Sequence, residues 1–174
     1  FGFATLGALL LVWLLAVLLE ISFVYNALLV PILLSVVWTT SGAAIARQFV
    51  MPSLLLLCAL PVWDPVAATL QGLSVKAGGT ILSILGVAVT VDGSYIRIPA
   101  GAFNVEPSCS GIAFFQTALA LGLFIGVKES LPARKTLVLT SLFALVAVVT
   151  NWVRVVSIIL AGHLTNMQHP LVVD

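Results

Sequence analysis

Two residues carry most of the chemistry that this sequence offers, Cys109 and Arg154. Cys109 stands in the run Val105-Glu106-Pro107-Ser108-Cys109-Ser110-Gly111. Pro107 pre-sets a turn, and Ser108 or Ser110 supplies a cap for the helix that follows. Cys109 is then expected in the first turn of that helix. Unpaired backbone N–H groups and the helix dipole favour a thiolate there, the form that nucleophilic catalysis needs. The same N–H groups can bind an oxyanion. The competing reading is structural, since Ser108 through Gly111 is a run of small residues that lets helices approach closely. Arg154 is flanked by Trp152, Val153, Val155 and Val156. An arginine in so apolar a setting is costly and usually functional. The alternative is an interfacial arginine snorkelling to headgroups beside Trp152. Asn151, three residues earlier on the same helical face, is placed to hold the guanidinium. Glu106 reads as a solvated loop acid.

The remaining candidates are weaker. His163 is nine residues after Arg154, half a turn out of phase if the helix is unbroken, so it reads as an interfacial residue. His169 lies in an aperiodic tail. Cys58 sits in the apolar run Leu54–Leu60 and reads as a small hydrophobe. Two cysteines are too few for a disulfide framework. With two histidines at unrelated spacings they give no metal-site pattern, and no cofactor is expected.

The elements that must position these residues are set by composition. Of 174 residues, 61% are hydrophobic and 7% charged. A soluble domain carries about 25% charged residues. Thirteen charged side chains cannot cover a soluble surface of this size, and the mean hydropathy of +1.25 agrees. The chain is therefore expected to be an integral membrane protein, which excludes soluble enzymes and disordered scaffolds. A formal net charge of +1 leaves no polybasic surface for nucleic acid or anionic headgroups. The sequence opens on Phe1 rather than Met and reads as an excerpt of a longer chain.

Charge-free stretches give the expected spans of a single membrane-embedded domain, 1–174: 1–19, 21–46 with Pro31 inside, 48–63 punctuated by Pro52 and Pro61, 110–127 and 136–161. The segment 65–85 reads either as a half-helix or as an interfacial amphipathic helix. Alternating Val87, Val89 and Val91, followed by Asp92-Gly93 and Tyr95–Ile98, signal a β-hairpin. An open hairpin is not viable in lipid, so 87–107 is expected as a folded loop outside the hydrocarbon. The fold class expected is an all-α polytopic membrane protein, a bundle of about 5–7 membrane segments with a hairpin-like extracytoplasmic loop. Loop 128–135 holds Lys128, Arg134 and Lys135 against Glu129 and is expected on the cytoplasmic side. Spans 110–127 and 136–153 then deliver Cys109 and Arg154 to the same outer face, on neighbouring antiparallel helices.

At this point the residues resemble a family. The run Glu106-Pro107-Ser108-Cys109-Ser110-Gly111-Ile112 resembles the Cys-Ser-Gly signature of the exosortase/archaeosortase family. Asn151-Trp152-Val153-Arg154 is similar to its Asn-x-x-Arg motif, at the expected interval. Pro61-Val62-Trp63, Leu131-Pro132 and the stretch from Leu85 through Gly93, Ile96 and Pro99 to Phe103 add weaker likenesses, so the resemblance covers residues about 60–174.

The resemblance implies a polytopic membrane cysteine protease or transpeptidase of the bacterial cytoplasmic membrane, its active site on the extracytoplasmic side. Its substrates are exported proteins with a C-terminal sorting signal of the Pro-Glu-Pro type, and its role is tied to exopolysaccharide production. Cys109 is implied as the nucleophile that forms a thioacyl intermediate. Arg154 is implied as the group that stabilises the oxyanion or orients substrate. Glu106, Ser110, Gly111 and Asn151 are the implied binding or orienting positions. A histidine completes the family's site. By the register from Gly162 to Asp174 it falls just past Asp174, a departure from the pattern that leaves His169 as the in-chain substitute. The implied partners are the sorting signal, membrane lipid and a lipid- or glycan-linked acceptor, and not nucleic acid. The rival reading is a non-enzymatic membrane component of exopolysaccharide assembly or export.

Overall fold

A computed structural model describes residues 2–168. Helices dominate because long apolar runs must satisfy their own backbone groups where lipid offers no partner. They are α1 (Gly2–Leu18), α2 (Ser22–Ala27), α3 (Leu29–Ser41), α4 (Ala43–Ala59), α5 (Asp64–Ile84), α6 (Ile112–Lys128) and α7 (Ala133–Leu164). Between α5 and α6 lie three short strands, β1 (Thr90–Asp92), β2 (Tyr95–Ile98) and β3 (Gly101–Asn104). Among the described residues, three stretches are long and apolar enough to cross a membrane: Ser22–Ser41, Pro107–Lys128 and Ala133–Leu164. The pair α4 and α5 makes a fourth if it is one span. Large apolar side chains point outward along these helices, Leu137 at 68% exposure and Val146 at 62% among them. Such a surface aggregates in water and is solvated in lipid. The chain is an all-α polytopic membrane protein with a small sheet.

Local chemistry places the breaks. Leu28 separates α2 from α3, three residues before Pro31. Pro31 has no N–H to offer and its ring crowds the carbonyl four residues back. Gly42, at φ +84°, turns the chain from α3 into α4, so the expected stretch 21–46 is divided there. Pro52 lies inside α4 without ending it. Asp64-Pro65 opens the 21-residue helix α5. An acid in the first turn and a proline beside it are what a helix start accepts.

The described chain forms two compact units. The first comprises residues 1–64 with 119–140. Within it α1 packs on α3, and α3 on α4. Its α6 and α7 segments meet along a seam of small residues. A Cβ on Gly122 would lie 2.7 Å from Thr140, and one on Gly126 would lie 2.3 Å from Thr136. Glycines four apart on one helix face let two backbones close to contact distance.

The second unit comprises residues 65–118 with 141–174. Its sheet has the order β1-β2-β3, antiparallel throughout. Asp92 pairs with Tyr95, so the turn residues are Gly93 and Ser94, one position later than the Asp92-Gly93 signal implies. Gly93 takes φ +58° at the first turn position, the kind of turn whose twist suits a two-residue hairpin. The third strand was not expected. It returns through Pro99 and Ala100, with Ile98 paired to Gly101. Ile96 and Ile98 point into a core with Val75 and Leu82 of α5, Val105, and Val155, Val156 and Ile159 of α7. Gly78 of α5 gives Ile96 its room, since a Cβ there would lie 3.3 Å from the Ile96 side chain.

Candidate active site

The segment that carries Cys109 is tied down from both ends. Val105 leaves β3 with its N–H donated to the Ser94 carbonyl at 2.9 Å. Its own carbonyl accepts from the Gln71 amide at 2.6 Å. Glu106 is extended, and Pro107–Cys109 then form one 3-10 turn. The Cys109 N–H donates to the Glu106 carbonyl at 2.8 Å, and the Ser110 N–H to the Pro107 carbonyl at 3.1 Å. Cys109 therefore closes a tight turn ahead of α6, instead of occupying the first turn of an α-helix. Its own N–H is already spent. The cap that the sequence offered twice falls to Ser110, whose Oγ accepts the Ile112 N–H at 3.3 Å. Ser108 turns to the Glu106 carboxylate at 3.4 Å, where both side chains are exposed.

Two helices grip this turn from behind. Asn151 of α7 donates its Nδ2 to the Cys109 carbonyl at 3.1 Å and to the Ser74 Oγ at 3.2 Å. Ser74 of α5 donates in turn to the Ser110 carbonyl at 3.3 Å. Asn151, Ser74 and Ser110 are each 1% exposed. Hydrogen bonds so buried hold their geometry, because losing a partner strands a desolvated polar group. The Asn151 Oδ1 is buried without a partner. Gly111 completes the interlock. It takes φ +89°, and a Cβ there would lie 2.7–2.9 Å from Asn151. No other residue type fits both the conformation and the space.

Cys109 itself is half-buried and reaches the edge of the core. Arg154 lies one helical turn beyond Asn151 on α7. Its guanidinium stands over the Phe114 ring in the first turn of α6, 5.9 Å from the centroid. Asn151 thus grips the cysteine turn rather than the guanidinium. Among the described residues no carboxylate lies within ion-pair distance of Arg154, and the ion pair present is Arg97 with Asp92 on the sheet. An exposed guanidinium held by an aromatic ring keeps its donors for another anion or carbonyl oxygen.

The structure brings Cys109, Ser110, Gly111 and Asn151 into direct contact. It sets Arg154 above the helix that starts at the same turn. Glu106 contributes its carbonyl to the turn and leaves its carboxylate in the open. His163 lies on an unbroken α7, about 13 Å along the axis from Arg154 and on the opposite face. Its Nδ1 is buried and unpartnered. His169 lies outside the described residues. Sequence reasoning missed Gln71 and Ser74. Their signal was the small and polar positions that recur along α5 at helical spacing, Gln71, Ser74 and Gly78.

Comparison with curated proteins and with solved structures returns no match to either. The family model described as Transmembrane exosortase (Exosortase_EpsH) matches residues 1–174, the whole chain and not only the part after residue 60. With the cysteine turn, the asparagine that locks it and the arginine one turn on already in place, the chain belongs to the transmembrane exosortase family.

Proposed function

We propose that this chain is a membrane cysteine transpeptidase that cleaves a C-terminal sorting signal of the Pro-Glu-Pro type on exported proteins, at the outer face of the bacterial cytoplasmic membrane. The observation that carries the reading is Asn151, which fixes the carbonyl of Cys109 from the same helix face that presents Arg154. A nucleophile on a rigid turn, with a free guanidinium close by, suits acyl transfer.

In the proposed reaction the Cys109 sulfur adds to the scissile carbonyl, and Arg154 faces the oxygen that gains charge. The C–N bond then breaks and leaves a thioester. The proton lost by the thiol ends on the departing amine, carried by a general acid. An acceptor amine, lipid- or glycan-linked, or water then attacks the thioester. This forms a new amide or a free acid and restores the thiol. His169 is the in-chain candidate for the proton carrier. Glu106, exposed at the mouth of the turn, is placed to meet substrate.

The test is processing of a tagged exported protein bearing a Pro-Glu-Pro signal, in cells with wild type, Cys109→Ala or Arg154→Ala at matched membrane abundance. Both variants are expected to lose cleavage by at least about 10²-fold. Normal cleavage by Cys109→Ala ends the thiol mechanism. Full processing and normal polysaccharide output in both variants favours a non-enzymatic assembly role.

A further inference from the structure

Beside Cys109 lies a cavity of about 60 Å³, set between β3 and α7. Cys109, Phe103 and Val105 form one side, and Val155, Ile158 and Ile159 the other. Val105, Val155 and Ile159 belong to the buried core, at 4%, 6% and 2% exposure, so that part of the wall is fixed. Phe103 and Ile158 are only half-buried and form the mouth. Asn104 adds the one amide in the lining, and its oxygen already accepts from Ser94 at 2.8 Å. Among the described residues no charged side chain lines the space. An ionised group entering it would lose water with nothing to replace it.

Nucleophilic attack brings the reacting carbonyl carbon to roughly 3–3.5 Å from the sulfur. The side chain on the adjoining Cα must then lie within a bond or two of Cys109. This cavity is the apolar space that Cys109 itself walls. An apolar cavity of about 150 Å³ accommodates a six-carbon ring, so this one takes roughly two to three carbons. We propose that the cavity receives the side chain of the substrate residue whose carbonyl Cys109 attacks, and that it selects a small apolar residue such as alanine, valine or proline. Ile158 sets the upper size limit. This assignment rests on the reading of Cys109 as the nucleophile.

The experiment uses membranes containing the full chain and reporter peptides that vary at one position on either side of the scissile bond. Wild type is expected to prefer valine over phenylalanine on the acyl side by at least about 10-fold, the lower end of what a single misfitting methylene costs in an apolar pocket. Ile158→Ala is expected to move that ratio toward leucine and phenylalanine by about 10-fold. Ile158→Phe should lower the turnover of valine substrates while leaving that of alanine substrates unchanged. Ratios unchanged by both variants overturn the proposal, as does a size preference confined to the amine side. A second readout needs no turnover. In a Cys58→Ala background, alkylation of Cys109 by haloacetamides with isopropyl or benzyl groups should show the same dependence on Ile158. If Cys109→Ala still cleaves, the nucleophile assignment fails, and alkylation alone then judges the cavity. Cross-linking of a photoactive lipid chain at Ile158, with peptide preference unchanged, would assign the space to lipid and overturn the proposal.

Discussion

At Gly111 and Asn151 the two motifs of this chain become one object. A side chain at residue 111 meets Asn151 at 2.7 Å, and the backbone there is at φ +89°. Gly111→Ala should therefore destabilise the protein by about 1–3 kcal/mol from backbone strain, with overlap adding to it. Thermal unfolding in detergent measures this, and an unchanged midpoint would mean that the turn relaxes freely. Asn151→Ala leaves the Cys109 carbonyl and the Ser74 hydroxyl without their donor, worth about 1–3 kcal/mol. Its expected signature is a fall in turnover at matched abundance, with little change in substrate binding, because Asn151 is 1% exposed and bonds the backbone carbonyl of Cys109. A variant that loses affinity but keeps its maximal rate would place Asn151 in the binding surface instead. Ser74→Ala breaks one link of the same network and should cost about 0.5–1.5 kcal/mol. Paired with Asn151→Ala, it should give less than the sum of the two, because the residues share a bond.

At the scale of elements, α5 anchors the site, and the seam between α6 and α7 holds the other unit together. Gln71 is the far anchor of the Cys109 segment, bonded to Val105 at 2.6 Å. Gln71→Ala should free the segment between β3 and the 3-10 turn, seen as faster hydrogen exchange there than at the buried Ile159. Equal protection in both variants would show that β-pairing alone holds the loop. Within the other unit, Gly126→Ala drives a methyl group to 2.3 Å from Thr136. The expected cost is about 1–3 kcal/mol, read as a lower yield of folded protein in the membrane. Thr136→Ala removes the two shortest contacts and should recover part of the loss in the double variant. No recovery would locate the damage elsewhere on α6.

For the whole molecule the decisive question is which face of the membrane holds Cys109. The basic loop 128–135 predicts the outer face. A membrane-impermeant maleimide added to intact spheroplasts should label Cys109, which is half-buried, and leave Cys58, which is buried. Labelling of Cys109 only after lysis would invert the topology and remove the proposed encounter with exported substrates.

The polytopic membrane class, the β1-β2 hairpin and the candidates Cys109, Asn151 and Arg154 were legible from the chain alone. The first follows because 7% charge cannot solvate 174 residues in water, whatever the tertiary arrangement. The second follows because alternation with a Gly turn is a local signal. The third follows because a cysteine in a turn of small polar residues, and an arginine and an asparagine in an apolar run, are conspicuous by type. The phase of His163 was also legible, since it depends only on α7 being unbroken. Tertiary structure alone decided what joins them. Gln71 and Ser74 are 34 and 36 residues from their partners, and Asn151 is 42 from Cys109. Serine and glutamine on an apolar helix have no local signature that tells a packing position from an anchor. The same distance hid the cavity beside Cys109, whose walls come from a strand and a helix more than 50 residues apart. Even the position of Cys109, in a 3-10 turn and not in the helix, was fixed from outside. The carbonyls of Cys109 and Ser110 go to Asn151 and Ser74, so the turn is held by partners that no local pattern contains.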